Sequence, residues 1–114
     1  MALTDLSWEI LASKLPTGAI TVSNSKVLID VGLVNNSTID ALTDQGVVKF
    51  FSMLFTAANK AQAEVNNELA DGEKLTTFSP ATIGTNSNGY ITLSRPFVCR
   101  AELSTATNII STNG

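Results

Sequence analysis

The side chains whose type and spacing could carry chemistry are few: Cys99, the carboxylates Asp30, Glu64 and Glu68, and the guanidinium groups of Arg95 and Arg100. Cys99 would need a base to act as a nucleophile, and the chain contains no His. Within the apolar run Phe97-Val98-Cys99 it reads as a small buried hydrophobe. The missing His also removes Ser–His and Cys–His pairs and imidazole ligation of zinc, and a single Cys excludes thiolate clusters and an internal disulfide. Asp30 interrupts a run of Val, Leu and Ile, where a buried carboxylate would be a candidate acid–base group. The period-two pattern of a strand instead puts it on the outer face, opposite Ile29. Glu64 and Glu68 are one helical turn apart and could pair around a cation, but Lys60, four residues before Glu64, makes an exposed charged face the simpler reading.

Three other constellations dissolve in the same way. Gly84-Thr85-Asn86-Ser87-Asn88-Gly89 is bounded by glycines but lacks the Lys and the following helix of a phosphate loop, so it predicts a hairpin connection. Arg95 and Arg100, five residues apart in extended chain, point to opposite faces and share no anion site. Phe50, Phe51 and Phe55 could line a pocket, and their helical spacing suits core packing better. The residues thus predict no catalytic group, no metal site and no cofactor, and a protein that is not an enzyme.

Charge narrows the partners. Seven basic against ten acidic residues give a net charge of −3, and Lys14, Lys26, Lys49, Lys60, Lys74, Arg95 and Arg100 are dispersed singly. Nucleic-acid affinity rests on neutralising several phosphates together, so none is expected. The first residues carry no basic region, and Asp5 and Glu9 break the first apolar stretch, so no secretory signal is read there. No segment approaches the ~18 uninterrupted apolar residues of a membrane span. The expectation is a protein of the cytoplasm, or of a particle assembled inside the cell, without membrane contact. Only 15% of the residues are charged, whereas 11 Ser, 14 Thr and 10 Asn supply most of the polarity.

The elements that would position these groups follow from period and punctuation. Thr4 or Asp5 can cap a helix of about three turns that ends at Pro16-Thr17-Gly18. Residues 19–23 and 26–34 are β-branched runs around the turn pair Asn24-Ser25 and predict a hairpin, with Val27, Ile29, Val31 and Leu33 on its core face. A short helix is expected from Thr38 to Thr43. Asp44 to Leu69 or Ala70 reads as one long helix of about 40 Å, closed by Asp71-Gly72. Val47, Phe51, Leu54, Ala58, Ala61 and Val65 alternate by four and three as an apolar seam; the first half of the helix reads as deeply buried, and the second, with Asn59, Lys60, Gln62, Glu64, Asn66, Asn67 and Glu68, as wet. Strands are then expected at 74–78, 90–94 and from Phe97 to Leu103, with Pro96 marking an edge, bulge or break.

This order predicts an α+β domain over residues 1–103, in which an antiparallel sheet of four to five short strands packs against one long helix, with a short N-terminal helix and a polar tail at 104–114. So much apolar helix surface exceeds what short strands cover. The expected function is therefore that of a non-enzymatic, self-associating structural or assembly protein, such as a subunit of a viral particle or other multi-subunit array. Its interface would be Val47, Phe50, Phe51, Leu54 and Phe55, and its partners further copies of itself or other subunits. The alternative is a module that binds a small molecule or peptide in a pocket between the long helix and the sheet.

Overall fold

Ser7 caps the first helix among the described residues, α1 (Trp8–Ser13), because its hydroxyl accepts the Ile10 N–H at 3.2 Å and so satisfies one of the free donors at a helix start. The computed structural model describes residues 5–84 and 89–99. At six residues α1 is shorter than the three turns expected, and Lys14 already leaves helical geometry.

The hairpin forms around the turn read from the sequence. β1 (Ile20–Ser23) pairs antiparallel with β2 (Lys26–Ile29), in the register Ile20 with Ile29 through Ser23 with Lys26. Asn24 and Ser25 both take left-handed backbone, with φ 51° and 63°, as a two-residue turn matched to strand twist requires. The second strand, however, stops at Ile29 rather than Val34. The Asp30 carboxylate accepts the Leu33 N–H at 3.1 Å and caps a new helix, α2 (Val31–Asn35), so Val31 and Leu33 are helical and there is no core face through them. Asn36, left-handed at φ 54°, ends α2, and the Ser37 N–H returns to the Gly32 carbonyl at 3.0 Å.

Residues 38–43 are irregular chain ending in a turn and not the helix expected. The Asp44 carboxylate reaches back to accept the N–H groups of Asp40 at 2.7 Å and Ala41 at 3.1 Å, and so takes the Ala41 donor that would have made the first bond of a helix there. The long helix, α3 (Val47–Asn66), begins after Gly46 and spans about 30 Å. Beyond it come turn residues and a short 3-10 helix, Asp71–Glu73, in place of the last turns of a longer helix.

Past residue 74 the expected strand shrinks to one isolated bridge, Phe78 with Phe97, beside a bond from the Val98 N–H to the Thr77 carbonyl at 3.2 Å. Further out, β3 (Thr82–Gly84) pairs antiparallel with β4 (Thr92–Ser94). Three residues separate the bridge from β3 on one side and two separate it from β4 on the other. Pro80 and Pro96 lie in this stretch, where neither can donate to a ladder, so the pairing is interrupted.

The fold is therefore a mixture of helices and strands, but not the four- to five-stranded sheet packed on a helix. Two separate two-stranded antiparallel sheets are present among the described residues. The hairpin β1–β2 cannot join a larger sheet through 30–34, because Asp30 turns those residues into helix. The β3–β4 hairpin is exposed along both strands.

Burial is also redistributed along α3. Among the described residues the buried apolar side chains are Ala19, Val34, Ala57, Ala58 and Ala61. The buried part of α3 is thus its second half, where Gln62 is buried too, whereas the first half expected to be buried carries exposed Val47, Val48, Phe51 and Met53. Of the strand expected from Phe97 to Leu103 only the bridge at Phe97 forms among residues 97–99, and its remainder from Arg100, the tail 104–114, the loop residues 85–88 and Thr4 lie outside the described residues.

Candidate interaction surface

At 100° per residue, Phe55, Asn59, Gln62 and Asn66 follow one another along α3 with spacings of four, three and four, beside the stripe of Ala58 and Ala61. The three amides face the extended segment that follows the helix. Asn66 Nδ2 donates to the Leu75 carbonyl at 2.8 Å, and its Oδ1 accepts the Leu75 N–H at 2.7 Å. Gln62 does the same for Phe78, donating from Nε2 to its carbonyl at 2.9 Å and accepting its N–H on Oε1 at 3.0 Å, while Asn59 Nδ2 adds a second donor to that carbonyl at 2.7 Å. A primary amide offers a donor and an acceptor side by side, which is the pattern an adjacent strand would present. The helix therefore pairs with the main chain of 75–78 as a strand would.

Aromatic packing completes this contact. Phe55 meets Phe78 and Phe97 with ring centroids 5.9 Å away in each case, and Phe78 lies edge-on to Phe97 at 5.6 Å. Elsewhere α3 is held by Lys14 Nζ to Glu64 Oε1 at 3.3 Å, from α1, and by Asn35 Nδ2 to the Gly46 carbonyl at 3.0 Å, from α2.

Of the residues expected at an interface, Val47 is 67% exposed and Phe51 50% exposed, with Phe50 edge-on to Phe51 at 5.3 Å. Phe50 and Leu54 are half-buried, and half-buried Phe55 is committed to the aromatic trio. Val48, not singled out from the sequence, is the most exposed large apolar residue of the helix at 84%. Val47, Phe51, Leu54, Ala58 and Ala61 form one continuous stripe, covered at Ala58 and Ala61 and open at Val47 and Phe51.

The candidates for chemistry are scattered. Asp30 is exposed and serves as a helix cap; Glu64 pairs with Lys14 and not with Lys60; Cys99 is exposed rather than a buried hydrophobe. Arg95 is half-buried, and its Nε lacks a hydrogen-bond partner among the described residues, whereas Arg100 lies outside them. Among the described residues no three His, Cys, Asp or Glu side chains gather where they could hold a metal, and no helix is long and apolar enough to cross a membrane. A shallow open depression lined by Pro16, Asp30, Gly32, Leu33, Ser37 and Ile39 lies beside α2, with no residue of the long helix in its lining.

The amide row was missed in the sequence because Asn and Gln on a helix read as an outer face. Its signal was nonetheless there: the row repeats the spacing of the apolar seam and begins at a Phe. No family model, no curated protein and no solved structure matches this chain.

Proposed function

We propose that this protein is a non-enzymatic assembly subunit whose work is self-association through the N-terminal half of α3. The supporting observation is an inversion of the usual burial. Four of the five buried apolar residues among those described are alanines, and the largest is Val34, whereas 16 large apolar residues are exposed. Apolar burial is worth about 25 cal/mol per Å², so a core of alanines contributes little, and the larger gain lies in the apolar surface left open among the described residues. A second copy is the natural cover, since the stripe on α3 is continuous with the part already packed.

The test is the native mass at micromolar concentration, by light scattering or native mass spectrometry. The expected result is a species larger than the 12.0 kDa monomer, which the double substitution Val48→Ser/Phe51→Ser returns to the monomer. A monomer for the unsubstituted chain at that concentration overturns the reading.

A further inference from the structure

The amide row of α3 is a receptor for extended main chain, and the segment it holds is tethered in a way that allows exchange. The hydrogen bonds of Asn59, Gln62 and Asn66 to the segment go to backbone groups of Leu75 and Phe78, and the side-chain anchor is Phe78 against Phe55. The segment travels with its own internal pairing, because Phe78 bridges Phe97, the Thr77 carbonyl accepts from Val98, and β3 pairs with β4. Between α3 and this unit lie residues 67–74, exposed except for Leu69, with a single 3-10 turn and with Gly72 facing open space.

We propose that in the assembly the amide row of one copy binds the 75–78 segment of a second copy, the two chains exchanging their C-terminal strand units across the turn at 67–74. This rests on the self-association reading and specifies its geometry. An exchanged segment meets the same three amides and the same Phe55, so every bond lost within the chain is regained between chains, and only the conformation of the turn differs. Within one isolated chain the tethered segment has the advantage of high effective concentration. Contact through Val48 and Phe51 brings a second segment into competition, so the apolar face and the exchange act together.

Two full-length variants test it. Asn59→Ala/Gln62→Ala/Asn66→Ala disables the receptor, and Leu75→Pro/Phe78→Pro removes the two N–H donors of the segment. When the two are mixed, one chain supplies an intact receptor and the other an intact segment. Native mass spectrometry of the mixture, with one variant isotope-labelled, is expected to show the ratio of mixed dimer to the geometric mean of the two homodimers about tenfold above its value for random pairing, the scale of one or two net hydrogen bonds. A binomial proportion overturns the exchange while leaving side-by-side association standing; absence of any oligomer in the unsubstituted chain overturns both. A second measurement avoids disabling the whole site. In a Cys99→Ser background, chains carrying Asn66→Cys are mixed with chains carrying Leu75→Cys under oxidising conditions. Exchange is expected to give the mixed disulfide dimer in excess over either homodimer, and random pairing overturns it.

Discussion

Gln62 and Phe78 exchange two hydrogen bonds, amide Nε2 to carbonyl at 2.9 Å and backbone N–H to Oε1 at 3.0 Å, across 16 residues of sequence. Gln62 is buried and its partner is main chain, so these two bonds depend on the amide, while the Phe78 ring packs separately on Phe55.

Gln62→Leu should therefore destabilise the fold by about 1–3 kcal/mol, because the Phe78 N–H is left without a partner while Asn59 still serves the carbonyl. Gln62→Glu, nearly the same shape, should also destabilise. It keeps the acceptor but sets a carboxylate oxygen against the Phe78 carbonyl. Urea denaturation checks both; a Glu variant as stable as the parent would show that the amide donor contributes nothing.

What was legible in the sequence was set by local rules. Asn24-Ser25 marked the hairpin turn, and the four-three alternation from Val47 marked the long helix, because backbone sterics and helical period act within a few residues. Asp30 was misplaced because a carboxylate after a β-branched run suits an outward strand position and a helix cap equally, and the choice depends on whether Leu33 offers its N–H. Burial along α3 was inverted for a related reason. Hydrophobicity marks the side of a helix that must be covered, but what covers it is fixed by distant segments, here 75–78 against Asn59, Gln62 and Asn66.

Gly46 and Gly72 should respond oppositely to alanine. Gly46 has φ 129°, and a Cβ there would lie 2.9 Å from Asn35 Nδ2, in the contact that holds α2 to the start of α3. Gly46→Ala should cost about 1–3 kcal/mol. Gly72 has open space around it, and Gly72→Ala should be neutral or stabilising by up to about 1 kcal/mol through the unfolded chain. Thermal midpoints of the two variants would separate these outcomes, and a neutral Gly46→Ala would refute the role given to the turn.

Acid should loosen the turn before α3. The N–H of Asp40, and then that of Ala41, donate to the Asp44 carboxylate and hold its pKa below the ordinary 3.8. A lowered folded-state pKa means that this stabilisation is present above the unfolded value and is lost as pH falls through the folded one. Asp44→Asn keeps a side-chain oxygen that does not titrate. Between about pH 5 and about pH 2 the parent should therefore lose more stability than the Asn variant, as read by the thermal midpoint. Parallel profiles would remove Asp44 from the acid response. The effect is expected to be small, since the group is fully exposed and screened by water.

The stripe along α3 should divide into two kinds of position. Ala61 is fully buried, so Ala61→Leu would force new volume into a packed contact and should cost about 1–3 kcal/mol of stability at any protein concentration. Phe51, three turns earlier on the same stripe, is half exposed, and within the chain Phe51→Ser removes its edge contact with Phe50 and the packing of its covered half. Its effect should depend on concentration: smallest in dilute samples, and growing as the unsubstituted chain associates, because a ligand of the folded state stabilises by mass action. Denaturation midpoints at several protein concentrations distinguish the two. If Phe51→Ser lowers stability equally at all concentrations, the open half of the stripe is part of the monomer's packing, and association through it has no support.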